Sequence, residues 1–377
     1  MKRFACVLAL AVALPTLLLA AAERPGIDPA RTYALVVGVL EWKAKDEWES
    51  FDTGFRRDAM LVEHLKKRGI SGSHLIYLQD KQATLEKIRA SLKEVVGRAH
   101  AGDTLLVYYA GHGFLEAGEG YFANYDIGEK QKTWWSMSEL VDTIQASFLG
   151  ERAILIADCC HSGRLVETVR RHEPTRIAYG VFTSSSTEES STGNWTFSQA
   201  VYDALTGSPL VDRNRDGMIT CQELSDYAAE EMTVFEGQRN ASGMIGGFSP
   251  DTVLSTSTAR SVPPHYGERV KVYADDDWWN GRIVDFHGDK ARVRWVAIGY
   301  DTPDSDEWHP YASCKPLKLV QYAVGKAVLV KWKKKWYPAK VLEVKGAQHL
   351  VTYDGWDADS NEWVGPGRIR LRKTSRK

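Results

Sequence analysis

Two short segments carry groups that could act together on a carbonyl carbon. Tyr108-Tyr-Ala-Gly-His112-Gly113 ends one apolar run in an imidazole, and Asp158-Cys-Cys160-His-Ser-Gly163 ends another in a thiol. Only the thiolate is a good nucleophile, so near neutral pH a thiol needs a neighbouring imidazole to take its proton and later protonate the leaving amine. His112 and Cys160 can fill those roles. Taken singly, each has a plainer reading: a satisfied strand-end histidine and a small buried hydrophobe. Together, with glycines beside them, they favour chemistry. Gly113 has no side chain to keep its amide from a tetrahedral oxyanion, where the Cys160 amide could be the second donor.

For this to work, the fold must bring together residues 48 apart. The C-terminal ends of neighbouring parallel strands do so, because they open into one crevice. The flanking pattern agrees. Short Val/Ile/Leu/Tyr-rich runs at Tyr33 to Val39, Leu75 to Leu78, Thr104 to Tyr109, Ala153 to Ala157 and Ile177 to Phe182 predict strands buried on both faces. Helical periods alternate with them at Asp58 to Arg68, Thr84 to Ala99, Ser138 to Phe148, Phe197 to Leu205 and Thr220 to Met232. The fold class is therefore α/β, with a mostly parallel sheet between helical layers.

In these two motifs the chain resembles the caspase-like cysteine peptidases, above all the metacaspase branch, in which one strand ends in His-Gly and a second in Asp-x-Cys-His-Ser-Gly. A histidine about 50 residues before the cysteine fits that family, and the likeness spans roughly residues 30 to 235. The resemblance implies a caspase-like α/β/α sandwich and a cysteine endopeptidase. It makes Cys160, not Cys159, the nucleophile. It further implies that Asp158 lines the pocket for the side chain before the scissile bond and favours Arg or Lys, with Asp58 as a second acid. Asp158 could instead orient a loop, and Asp58 could cap its helix. The basic stretch from Arg164 to Arg176, with Arg170-Arg171, matches a connection often cut during maturation in this family. The alternative from another class is a catalytically silent scaffold that binds protein or peptide partners.

A second pattern runs from Asp212 to Glu223. Asp212, Asn214, Asp216, Met218, Thr220 and Glu223 stand at the ligand positions of a twelve-residue calcium loop, with Gly217 at the sixth. The same residues also describe a polar turn whose Thr220 and Glu223 form a capping box for the next helix. No cofactor is required by the proposed chemistry, and calcium is the one ion the sequence suggests.

Beyond a Ser/Thr/Pro linker at residues 255–265, helical periodicity stops and an internal repeat begins. Val270-Lys-Val272 matches Val328-Leu-Val330, Trp278-Trp279 matches Trp336-Tyr337 and Trp295 matches Tyr353, all at an offset of 58. Asp306-Glu-Trp308 then matches Asn361-Glu-Trp363 after a gap of three. Two small five-stranded barrels, residues 266–320 and 321–373, resemble tudor-knot or agenet domains. Trp336, Tyr353, Trp356 and Trp363 are the expected walls of an aromatic cage, although aromatics at such places also build barrel cores and seams.

The first 22 residues run from Lys2-Arg3 through an apolar stretch to Ala20-Ala21-Ala22, the order of a cleavable signal peptide. That predicts an exported protein, periplasmic or extracellular, with a peptidase domain at residues 30–254 and no membrane span once the segment is removed. The net charge of −1 hides a division: from His265 onward there are 21 Lys+Arg against 15 Asp+Glu. Interspersed charge of this kind usually solvates a β surface, so nucleic acid is not an expected partner, whereas protein or peptide substrates and a protein partner at the barrels are. Four cysteines outside the signal segment are too scattered for a disulfide framework.

Overall fold

The computed structural model describes residues 26–258, 262–274, 276–296, 306–317, 319–332, 335–345 and 347–372. The signal segment and part of the linker lie outside these. The first part of the chain forms strands β1 (Thr32–Gly38), β2 (Leu75–Gln79), β3 (Thr104–Ala110), β4 (Gly113–Glu116), β5 (Glu119–Phe122), β6 (Trp135–Ser136), β7 (Arg152–Asp158), β8 (Ala178–Thr183), β9 (Met218–Thr220), β10 (Ala241–Ile245) and β11 (Val253–Thr256). Its helices are α1 (Arg57–Lys67), α2 (Leu85–Arg98), α3 (Met137–Ser147), α4 (Arg164–Arg170), α5 (Thr196–Thr206) and α6 (Cys221–Glu231).

The main sheet has the order β10-β8-β7-β3-β1-β2, parallel throughout except for β10, which runs antiparallel to β8. Alternation along the strands explains the three layers. Leu35, Val37, Val107 and Leu155 pack with Ile88 of α2, Leu140 of α3 and Leu165 of α4. Their neighbours Ala34, Val36, Leu106 and Ile154 pack with Leu61 of α1, Phe197 of α5 and Leu224 of α6. Each such buried Leu, Ile or Phe contributes about 1.5–3 kcal/mol relative to exposure. Strands with both faces occupied read as continuous apolar runs, which is why they were visible in the sequence.

Three parts differ from the expectation. The basic connection after Cys160 is helix α4, with Leu165, Val166 and Val169 buried. Arg170-Arg171 lies at its C-terminal end, followed by a turn in which His172 bonds Thr168 O and Asp142. A small antiparallel sheet, β4-β5-β6, follows the His112 segment, and β9 pairs with β11 beside the Asp212 loop. These strands are two to four residues long, too short for a period to show.

The C-terminal part repeats one plan twice: β12 (Arg269–Ala274), β13 (Asp277–His287), β14 (Lys290–Trp295), β15 (Glu307–Pro310) and β16 (Lys315–Pro316), then β17 (Ala327–Trp332), β18 (Lys335–Lys345), β19 (Gln348–Tyr353), β20 (Glu362–Val364) and β21 (Ile369–Leu371). Both sheets are antiparallel and share one order, β15-β14-β13-β12-β16 and β20-β19-β18-β17-β21. Even the bulges correspond, between Ile283 and Asp285 in one copy and between Val341 and Glu343 in the other. Val270, Val272, Ile283 and Val293 fill the first core, and their counterparts Val328, Val330, Val341 and Val351 fill the second. Among the described residues no helix is long and apolar enough to cross a membrane.

Candidate active site

Strands β3 and β7 are neighbours in register, with Ala110 opposite Asp158. The chains leaving their C-terminal ends therefore start side by side, His112 two residues beyond one strand and Cys160 two beyond the other. The Gly111 amide donates to the Asp158 carbonyl at 3.2 Å. A β-carbon at Gly113 would lie 2.5 Å from the Cys160 carbonyl and 2.7 Å from the Cys159 sulfur, so only glycine allows the two segments to touch. The segment that carries His112 and Gly113 therefore runs directly against the one that carries Cys159 and Cys160.

The imidazole is fixed from outside the sheet. His112 Nε2 lies 2.8 Å from the Glu49 carbonyl. A carbonyl can only accept, so Nε2 carries the hydrogen and Nδ1 is left as the base. Around the ring stand Trp42 and Phe51, each with its centroid 4.5 Å away, and Trp48 at 5.6 Å. Burial among these groups lowers the imidazole pKa below its ordinary value, and the bond to the Glu49 carbonyl opposes that shift only in part. The ring is therefore held neutral, the form a base must have. Nothing in the sequence pattern marks Glu49, because it acts through its backbone.

The adjacent thiols differ sharply. Cys159 is buried, and desolvation pushes its thiol well above the ordinary value, which keeps it protonated. Cys160 is half-buried, and its sulfur accepts the Ser191 amide at 3.2 Å. That amide belongs to a segment anchored on both sides: the Glu189 side chain accepts from the Arg239 amide and guanidinium, and the Thr192 amide donates to Gln238. His161, next to the thiol, is occupied elsewhere, with Nδ1 2.9 Å from the Thr187 carbonyl.

Asp158 points under this segment. Its carboxylate accepts the Ser198 amide at 3.1 Å, the Ser198 hydroxyl at 2.5 Å and the Ser191 hydroxyl at 3.5 Å. Ser198 lies in the first turn of α5, whose preceding residue Trp195 makes no side-chain cap, so Asp158 supplies the missing acceptor from another strand. Burial raises the carboxyl pKa, the Ser198 and Ser184 hydroxyls lower it, and Glu236 raises it again by repulsion. Glu236 was not singled out in the sequence; it accepts from Thr196 and from Asn194 Nδ2 at the same helix end. Asp58 is placed differently. Its carboxylate is buried against Arg56 at 2.7 Å and accepts the Tyr77 hydroxyl at 2.8 Å.

In the Asp212 loop the donors mostly close on their own backbone. Glu223 accepts the amides of Arg213, Asn214 and Thr220 and forms the expected capping box with Thr220. Asn214 accepts the Asp216 amide, Asp216 accepts the Met218 amide and Asp212 Oδ2 accepts the Gly217 amide. Asp212 Oδ1 is buried without a partner. Among the described residues no three His, Cys, Asp or Glu side chains gather as a metal-holding group.

The second barrel holds a cup of about 240 Å³ lined by Trp332, Tyr337, Tyr353, Trp356, Ser360 and Glu362. Its rings stand 6.0 to 6.4 Å apart, mostly edge to face, and the Tyr353 hydroxyl donates to Glu362 at 2.5 Å. Tyr353 and Trp356 were expected here. Trp336 and Trp363 were too, but Trp336 lies under the Arg370 guanidinium at 3.9 Å, and Trp363 lines a separate cleft with Arg239 and Gln348. On β18 the alternation sends Tyr337 into the cup and Trp336 to the other face. Cys221 and Cys314, the other cysteines of the described chain, are both buried and free.

A mostly parallel six-stranded sheet between two helical layers, with an imidazole and a thiol just beyond the ends of adjacent strands, defines a three-layer α/β domain. The family model described as the caspase domain matches residues 32–257, more than half of the chain, and the protein belongs to that family. No curated protein matches it. Among solved structures, caspase-1 of Spodoptera frugiperda is 14% identical over 63% of this chain and 96% of its own, with a TM-score of 0.41. A Geobacter sulfurreducens protein is 14% identical over 60% of this chain and 100% of its own, at 0.39. The AGD34 segment of Arabidopsis thaliana AGDP1 is 18% identical over 29% of this chain and 82% of its own, at 0.14.

Proposed function

We propose that the protein is a cysteine endopeptidase that cuts after Arg or Lys. What carries the reading is the tethered imidazole: His112 is neutral, held at Nε2 by the Glu49 carbonyl, on the strand end beside Cys160. In the proposed reaction Nδ1 takes the Cys160 proton, and the thiolate adds to the scissile carbonyl. The Gly113 and Cys160 amides receive the oxyanion. Collapse breaks the C–N bond while His112 returns the proton to the departing amine, leaving a thioester on Cys160. Water, losing its proton to His112, then releases the acid and regenerates the thiol.

Preference for a basic residue is supported by Asp158 and Glu236, two carboxylates held at the N-terminal end of α5, the first buried and the second half-buried. A guanidinium or ammonium approaching them is attracted by both, whereas an acidic side chain is repelled. Asp58 is already paired with Arg56, so in this reading Asp158 and Glu236, not Asp58, meet the basic side chain. No step runs through calcium. A cation in the Asp212 loop would have to draw Glu223 away from its backbone bonds, and calorimetric titration with CaCl2 reads whether it does.

The deciding experiment is hydrolysis of internally quenched peptides carrying Arg, Lys or Asp before one cleavable bond, compared with Cys160→Ala. Turnover after Arg and Lys that falls at least about 10³-fold in the variant is expected. An enzyme that turns over none of them, in reducing buffer with or without calcium, would instead be a binding scaffold. N-terminal sequencing of protein recovered from the producing cells tests the proposed export.

A further inference from the structure

The rings that hold His112 do not stop at it. Trp48 lies 5.6 Å from the imidazole on one side and 5.7 Å from Phe114 on the other. Phe114 in turn meets Trp134 edge-on at 5.1 Å and stacks on Tyr121 at 5.2 Å. Trp48, Phe114 and Trp134 are each only half-buried, so this is a ladder of rings with one side open, running from the base along β4. Its geometry follows from alternation: His112 and Phe114 are two apart along an extended segment and face the same way.

The position of the ladder relates it to one half of a bound peptide. The sheet order places β8 and β1 on opposite sides of the β7–β3 pair that carries Cys160 and His112. Asp158 bonds Ser198 of α5, and Ser198 bonds Tyr108 of β3, so the carboxylate meant for the acyl half faces the α1/α5/α6 layer, whereas Trp48, Phe114 and Trp134 pack against the α2/α3/α4 layer on the opposite face of the sheet. Trp48 belongs to the chain after β1, and Phe114 to the chain after β3. The amine that departs is the one His112 protonates, so the residue bearing that amine lies on the His112 side. Half-exposed aromatic rings cost free energy in water, and covering them with an apolar side chain recovers it.

We propose that Trp48, Phe114 and Trp134 form a subsite for the residue just after the scissile bond, and that it selects a large apolar or aromatic side chain there. The inference rests on the peptidase reading. It adds that recognition is two-sided, with a cation on the acyl half and a hydrophobe on the leaving half.

A set of internally quenched peptides with one Arg-ending acyl half and Phe, Leu, Gly, Ser, Asp or Lys after the bond tests it. kcat/KM for Phe and Leu is expected to exceed that for Gly and Asp by about tenfold or more, the scale of a filled hydrophobic pocket. In Phe114→Ala, and independently in Trp134→Leu, the Phe-to-Gly ratio is expected to fall to within about twofold of unity, whatever happens to the absolute rates. A flat wild-type profile with ready turnover overturns this subsite and leaves the peptidase standing. So does a preference that both variants keep. Absence of turnover on every peptide overturns the peptidase reading itself, and the subsite with it.

Discussion

The two barrels share strand order, bulge position and core, yet they use their surfaces in opposite ways. In the first, Arg269 and Arg282 reach Glu231 at the end of α6, and Arg294 reaches Asp203 on α5. Their counterparts in the second barrel are Ala327, Lys340 and Thr352, and Lys340 is exposed. The second barrel instead has Trp332 and Tyr337 where the first has Ala274 and Trp279, and it keeps the open aromatic cup. One shared feature shows what was left alone: Lys315 lies over Trp278 at 3.8 Å just as Arg370 lies over Trp336 at 3.9 Å. The two copies keep the core and the cation stack, while a few surface positions give the first a dock of buried ion pairs to α5 and α6 and the second an open cup beside a neutral contact, in which Gln348 donates to Thr233 at 2.8 Å.

The sharpest way to break this division is at the dock. Arg282 and Glu231 are both almost fully buried, at 6% and 3% exposure, so removing Arg282 strips the buried carboxylate of one of its two guanidinium partners and leaves it Arg269. Arg282→Met is expected to cost about 1.5–3 kcal/mol in the unfolding free energy of the docked unit, and the matched change Lys340→Met less than about 0.5 kcal/mol. Urea titrations followed by tryptophan fluorescence measure both. Similar losses in the two variants would mean that the barrels do not differ as described. The dock also touches the site at one remove, because α5 receives Arg294 through Asp203 and carries Ser198, which holds Asp158.

The cup gives the next largest effect. A ring face attracts a cation, and each wall is worth about 0.5–2 kcal/mol. Trp356→Ala and Tyr353→Ala are each expected to weaken binding of a trimethyllysine peptide by about 3- to 30-fold, whereas Trp336→Ala, outside the cup, changes it little. Fluorescence titration of the full chain reads the three side by side. Equal losses at Trp336 would restore it as a wall and contradict the face assignment on β18.

How much of this was legible in the sequence depended on how each residue acts. The five parallel strands and their helices could be read because buried aliphatic runs and helical periods are long enough to show a pattern. His112, Gly113 and Cys160 could be read because the role proposed for each belongs to a side chain or to the lack of one. Glu49 could not, since its contribution is a carbonyl, and α4 reads as a connection because its apolar face is only Leu165, Val166 and Val169 amid arginines. Glu236 and Asp158 meet only through the N-terminus of α5, which no spacing encodes. The repeat was plain, but Trp336 and Tyr337 are adjacent, and composition alone cannot say which of two neighbours faces inward.

The smallest expected effect separates the barrels by pH. His349 in β19 is fully buried, and its Nε2 accepts the Tyr322 amide at 2.8 Å, so the ring must be neutral; the matching position in the first barrel is Ala291. Burial lowers the His349 pKa in the folded chain, whereas the unfolded chain keeps the ordinary value near 6.5. As pH falls through that value, the unfolded state gains a proton that the folded state refuses, so the stability contributed by the neutral ring is present above about pH 6.5 and is lost below it. Acidification from pH 7.5 to 5.5 is therefore expected to destabilise the second barrel in a way that the first, with alanine at that position, does not share. Backbone hydrogen exchange resolved by peptide reads the two barrels separately within the intact chain. Faster exchange in β19 than in β14 at the lower pH, after correction for the intrinsic rate and abolished in His349→Ala, is the expected result; equal changes in both strands, or one that persists in the variant, would assign the acid response to some other group.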